Sequence, residues 1–181
     1  NQNIWKEEDK NIYRKKYKFQ NTAYLIGSFQ RDTEGSDLIS PKLSKGPDQF
    51  LKIITEMMEK KPNIEVVLTG KRRNYLINKF QDLGIKYHYF EMLSFKEINE
   101  LYNCLDLYIV ASRYEGGPQS VLECAITKTP IISSKVGIAE LILSKDSIFE
   151  IDKYYDAKPN INVAYKNVQK YCLPQGFENF I

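Results

Sequence analysis

The residues best suited to do chemistry sit in one short run, SRYEGGPQSVLE at 112–123. Glu115 and Glu123 bracket two glycines, Gly116 and Gly117, and Pro118 then stands where a helix can begin. A loop that leaves a strand and enters a helix this way points unpaired backbone N–H groups outward, backed by the positive end of the helix dipole. That is an anion site, and it suits a phosphate. Glycine at 116 and 117 lets a ligand approach the backbone closely. Two carboxylates beside such a site can accept hydrogen bonds from hydroxyls, as a sugar phosphate would require. Val121, Leu122 and Ala125 share one helical face, which directs Glu123 away from the core. The same pattern also serves as a plain tight turn between strand and helix with a solvated Glu123, and the spacing alone does not choose.

The rest of the chain supplies a frame for this loop. Residues 1–20 read as a linker and a charged helix over Lys6 to Tyr17. Short apolar runs predict strands at 22–28, 64–70, 85–91, 105–112, 130–134 and 147–151. Between them, a helix opens at Pro47 and stops before Pro62. Others cover 72–83, 94–103, 119–128, 137–143 and 162–172, with a tail after Pro174. Ser94 followed by Glu97 is a capping box for the helix at 94–103. Strands apolar on both faces, alternating with helices, predict an α/β fold with a doubly wound, six-stranded, Rossmann-like parallel sheet. Ligands bind such sheets beyond the carboxyl ends of the strands. The loops at 29–46, 70–73, 91–94 and 112–118 are therefore expected on one rim.

Composition narrows the function classes. The chain has 181 residues, 43% of them hydrophobic and 27% charged, which fits one soluble globular domain. A net charge of +3 is too weak to argue for nucleic acid. The longest apolar stretches suit strands and fall short of the ~20 residues that span a membrane. Cys104, Cys124 and Cys172 are far apart and form no CxxC pair, which predicts no zinc site and no disulfide framework, and fits a reducing cytoplasm. The first residue is Asn1, which fits a fragment or a processed chain. Neither a Walker phosphate loop nor a G-x-G-x-x-G fingerprint occurs. His88 is the only histidine, lies mid-strand and reads as structural. Tyr154, Tyr155, Tyr165 and Tyr171 read as packing or interdomain surface.

The run EGGPQSVLECAITKTPIISSKVGIAELI at 115–142 resembles the E-x7-E signature of retaining GT-B glycosyltransferases of the group 1, or family 4, type. In those enzymes it belongs to the C-terminal nucleotide-sugar-binding domain. The match includes both glycines, Glu115, Glu123, Ala125, Pro130, the strand that follows, Gly137 and Glu140. A second block, Gly27 to Arg31 with Lys45-Gly46, resembles the family's strand–G-R–loop–K-G element. Here the loop Asp32 to Ser44 is longer and Arg31 sits a few residues late. Tyr89 to Ser94 stands where the family loop meets the nucleobase, with Glu91 in place of the usual Gly and Met92 beside it.

The resemblance implies sugar transfer from a nucleoside-diphosphate sugar to an acceptor hydroxyl, with retention, by an enzyme of the hexosyltransferase class that needs neither metal nor cofactor. It assigns Glu115 the catalytic place at the donor sugar hydroxyls and Glu123 the ribose. Arg31, Lys45 and the helix start through Ser120 and Val121 go to the diphosphate, with backbone N–H groups from Gly116 and Gly117. The acceptor, a saccharide or a lipid-linked glycan, would bind mainly on an N-terminal domain outside these residues. The donor domain would then be 21–181, inactive by itself. The full-length protein is expected in the cytoplasm, with peripheral attachment at the inner membrane face. Two other readings fit the same architecture. One is a non-catalytic nucleotide-sugar-binding module. The other is an epimerase-type domain, whose acid–base residues are not evident.

Overall fold

Along the fourth strand, Leu107 and Ile109 bury on one face and Tyr108 and Val110 on the other, the period-two pattern of a strand covered on both sides. The computed structural model describes residues 2–173. The strands are β1 (Tyr24–Ser28), β2 (Ile64–Thr69), β3 (Tyr87–Phe90), β4 (Leu107–Val110), β5 (Ile131–Ser134) and β6 (Ile148–Phe149). They form one parallel sheet in the order β3-β2-β1-β4-β5-β6. The helices are α1 (Lys10–Lys16), α2 (Pro47–Lys60), α3 (Asn74–Leu83), α4 (Phe95–Cys104), α5 (Gln119–Thr127), α6 (Ala139–Ile142) and α7 (Ile161–Val168). Leu25, Val67, Tyr108 and Val110 pack with α4, α5 and α7 on one face of the sheet. Ile26, Val66, Leu68 and Ile109 pack with α2 and α3 on the other. The strand order reverses between β1 and β4, and this is the switch point at which such sheets bind ligands.

The sheet edges differ from the sequence expectation. β3 is shorter than 85–91 and only partly buried, because it is an edge strand with one neighbour. β6 keeps two of the five residues expected at 147–151. Ser147 is turned to bond Lys158 O at 2.9 Å and Asn160 N at 3.0 Å, and a 3-10 segment at Ile151–Asp156 carries the chain off the sheet. α6 starts at Ala139 rather than 137, since Gly137 takes a left-handed φ of +47°. The last helix ends as α-helix at Val168 and continues as a 3-10 turn to Tyr171. The tail expected after Pro174 lies outside the described residues. The capping box is present: Ser94 N donates to Glu97 Oε2 at 2.8 Å, and Glu97 N to Ser94 Oγ at 3.3 Å. His88 pairs with Glu65 at 2.6 Å and meets the Phe19 ring edge-on.

The segment expected as a linker and a charged helix is strapped to the domain. α1 begins at Lys10, later than Lys6, because residues 6–8 use their backbone elsewhere. Asn99 and Asn103, one turn apart on α4, accept from Lys6 N (3.0 Å) and Glu8 N (2.7 Å). Asn103 Nδ2 also donates to Lys6 O at 3.0 Å. The strap buries Trp5 against Tyr102. Asp106 anchors its far end, accepting from Lys10 Nζ (2.6 Å), Arg14 (2.5 Å) and Leu25 N (2.7 Å). Among the described residues, every buried side-chain polar atom has a partner.

Burial acts to raise the Asp106 carboxyl, but the bonds from Lys10, the Leu25 amide and Arg14 outweigh it and hold its pKa below the ordinary 3.8. A depressed acid contributes stability that is complete above its unfolded pKa and is lost as pH falls through the folded one. Asp106→Asn is expected to cost about 2 kcal/mol at neutral pH, the scale of hydrogen bonds to charged groups. The deficit against wild type should shrink below about pH 4. Urea denaturation as a function of pH checks it, and a deficit independent of pH would contradict the charge-based account.

Candidate functional site

Three loops from the carboxyl ends of β1, β4 and β5 meet at the switch point, and backbone contacts decide their positions. After β1 the chain makes a long excursion tied down by Arg73, which is fully buried. Its Nε bonds Asp32 Oδ2 at 2.7 Å and one terminal nitrogen bonds Ser28 O, also at 2.7 Å. The excursion returns through a 3-10 turn, Leu43–Lys45, to Gly46 at φ +61°. A Cβ on Gly46 would lie 1.8 Å from Ala111 O, so only glycine lets α2 start flush against the end of β4. Arg113 N and Tyr114 N both donate to Ser44 O, at 2.9 and 3.2 Å, which joins the 112–118 loop to the excursion. On the other side, a Cβ on Gly137 would lie 2.2 Å from Gly116 O and 2.7 Å from Glu115 O. The glycine-rich loop is thus clamped from both flanks.

Between these loops and α4 lies a cavity of ≈ 370 Å³. Its polar lining includes Lys45, Glu115, Gly117 and Ser120. Its aromatic lining is Trp5, Phe29, Phe95, Tyr102 and Tyr108. Glu123 lines it as well and also lines an adjoining cavity of ≈ 330 Å³. Lys45 Nζ is 2.7 Å from Glu115 Oε1, and the Ser112 hydroxyl donates to the same oxygen at 2.7 Å. The Tyr108 hydroxyl, on β4, accepts from Phe29 N at 2.9 Å and is hydrogen-bonded to Ser120. It therefore fixes the end of β1 and the start of α5 together.

Glu123 corrects the helical-face reading. It is half-buried beside α4, where the Tyr102 hydroxyl donates to its Oε2 at 2.8 Å. Burial raises its carboxyl above the ordinary 4.5, and the Tyr102 bond opposes that rise. The periodicity of α5 separates core from solvent but cannot register a cleft shared with another helix.

Lys45, Glu115, Gly117, Ser120 and Glu123 line the main cavity, while Arg31, Gly116 and Val121 do not. Arg31 is exposed and its Nε donates to Thr33 O at 2.8 Å. Gly116 turns its carbonyl toward Gly137. Val121 is fully buried in the core and its N–H donates to Pro118 O at 3.0 Å, so that group is already used. The unpaired N–H groups at the start of α5 belong to Gln119 and Ser120. Met92 is exposed and absent from both cavity walls. Sequence reading missed Trp5, Phe95 and Tyr102, and it gave Ser112, the first residue of the 112–123 run, no role. Trp5 carried no local signal, whereas Phe95 and Tyr102 sit about two turns apart on the capped helix.

The fold and cavity define a doubly wound domain with a helix start lining a cavity at its switch point. Residues 39–167, more than half of the chain, match the family of glycosyl transferases group 1, and the chain belongs to that family. Among curated proteins none matches it in sequence. Several solved structures share the fold. The C-terminal domain of a group 1 glycosyl transferase family protein (LpcC) from Francisella tularensis is 21% identical at a TM-score of 0.67, over 93% of this chain and 92% of that one. Sucrose-phosphate synthase from Thermosynechococcus elongatus is 14% identical at 0.67, over 98% of this chain and 42% of that one. Anabaena HepE in complex with UDP-glucose is 18% identical at 0.63, over 93% and 49%. At these identities the likeness is one of fold, and the chain spans less than half of the synthase and of HepE.

Gly137→Ala tests the clamp. The substitution strains φ and drives a Cβ into the Gly116 carbonyl, so a loss of about 1–3 kcal/mol is expected. Chemical denaturation reads it, and an unchanged midpoint would mean that the loop yields freely.

Proposed function

We propose that this chain is the donor-binding half of a retaining glycosyltransferase that moves a sugar from a nucleoside-diphosphate sugar to an acceptor hydroxyl. One observation carries the reading: Lys45, the first turn of α5, Glu115 and Glu123 all line one cavity at the switch point. An ammonium and two backbone N–H groups, from Gln119 and Ser120, suit a diphosphate. In the transfer the bond from the anomeric carbon to the diphosphate oxygen breaks, the acceptor oxygen takes its place on the same face, and the acceptor's proton passes to the departing phosphate oxygen. Charge builds on the leaving diphosphate, and Lys45 with the helix dipole stabilises it there, work that a metal does in other enzymes. Glu115, beside Lys45, accepts from the donor sugar hydroxyls.

Glu123, held by Tyr102, accepts from the ribose, and the aromatic lining of the cavity is available to the base. The acceptor belongs to a second domain, so these residues alone are expected to bind donor without completing transfer. Family membership and the fold shared with HepE, whose structure holds UDP-glucose, support this reading. No helix among the described residues is long and apolar enough to cross a membrane. Peripheral attachment of the full-length protein at the cytoplasmic membrane face is part of this proposal.

Calorimetry with UDP, GDP and ADP tests the site. One of them should bind, and Glu123→Gln should weaken it about tenfold or more, the worth of a charged hydrogen bond. No heat from folded protein at millimolar ligand would refute the assignment. Robust retaining transfer by the 181 residues alone would refute the half-enzyme reading.

A further inference from the structure

Lys45 and Glu115, which the proposed reading sends to different parts of the donor, are bonded to each other here. We infer that Glu115 makes this site discriminate the intact sugar nucleotide from the bare nucleoside diphosphate, by competing with the diphosphate for the Lys45 ammonium. The inference rests on the donor-site reading above.

The geometry leaves one moving part. Glu115 has a side chain only 8% exposed, and Lys45 one that is 28% exposed. The backbone of Glu115 is pressed against Gly137. The backbone of Lys45 is held by Gly46 against Ala111, by Gln30 Nε2 donating to Lys45 O at 2.9 Å, and by Lys45 N donating to Lys42 O at 2.8 Å. Neither backbone can retreat, so a ligand that needs the ammonium must draw it over on its flexible stem.

Two arrangements are then open, and both penalise a bare diphosphate. If the ammonium leaves, a nearly buried carboxylate keeps only the single hydroxyl donor of Ser112, and a buried charge stripped of its partner is costly. If the ammonium bridges both groups with its three N–H donors, the Glu115 carboxylate faces the phosphates at close range with like charge. An intact donor escapes the penalty, because its sugar hydroxyls point donors at Glu115 and replace the lost ammonium contact. After transfer those hydroxyls leave with the product. Glu115 then recaptures Lys45 and weakens the hold on the departing diphosphate.

Calorimetry on the whole 181-residue chain tests this, with UDP, GDP and ADP and their glucose conjugates as probes. Glu115→Gln keeps size and hydrogen-bonding capacity but removes the charge. It should bind the bare nucleoside diphosphate on the order of tenfold tighter than wild type, and the conjugate no tighter. Ser112→Ala should act in the opposite direction. With its hydroxyl gone, Glu115 leans wholly on Lys45, so the bare diphosphate should bind several-fold weaker, widening its gap from the conjugate. Unchanged or weaker diphosphate binding by folded Glu115→Gln overturns the inference while leaving the donor site intact. If that variant does not fold, Ser112→Ala decides, and equal loss for both ligands overturns it. Wild-type protein that binds none of the probes overturns the donor-site reading itself.

Discussion

The site depends on backbone lying directly on backbone at two places. Gly46 rests on the Ala111 carbonyl and Gly137 on the Gly116 carbonyl, each closer than any side chain would permit. These contacts bring the loops after β1 and β5 against the loop after β4, so three segments distant in sequence share one rigid rim. Side-chain contacts could bring the loops near each other, but with more slack. Main-chain contact removes a layer of rotamers from between them, so the functional side chains start from fixed origins. Lys45 and Glu115 owe their proximity to this arrangement.

A second level of order comes from buried polar groups used as fasteners. Arg73 joins the ends of β1 and β2 to Asp32, and Asp106 joins α1 to the start of β1 and β4. Replacing such pairs by apolar side chains of similar volume is often no worse for stability. What they supply here is position. Arg73 holds the start of the excursion that returns at Lys45, and Asp106 holds the strap that carries Trp5 to the cavity wall. Two asparagines on α4 read the strap chiefly through its backbone, which fixes its register, and Asn99 Nδ2 adds one side-chain contact by donating to Glu8 Oε2 at 2.8 Å.

The cavity combines charged and aromatic lining: Lys45, Glu115 and Glu123 share it with Phe29, Trp5 and Phe95. Glu123 has the environment of a group meant to accept hydrogen bonds: partly desolvated, oriented by Tyr102, and open to the cavity.

Much of this was legible in the residues alone. Apolar runs broken by glycine and proline marked the alternation of strands and helices, because a strand covered on both faces leaves no polar alternation to mistake. The glycine-rich turn before Pro118 marked the start of α5 beside the cavity, because local chain geometry creates it. The ends of the sheet were less legible, since β6 is cut short by Ser147 bonding to residues eleven and thirteen positions on. Only the tertiary structure decided which side chains meet. Arg31 carries the residue type of a phosphate ligand yet bonds its own loop, while Val121 spends its N–H on Pro118. Trp5 enters the cavity wall across some ninety residues of sequence, through bonds from Asn99 and Asn103 to the strap beside it. Spacing along a chain determines what one helix or turn can offer. Contacts between loops depend on how the sheet twists and where backbones touch, and no local pattern carries that information.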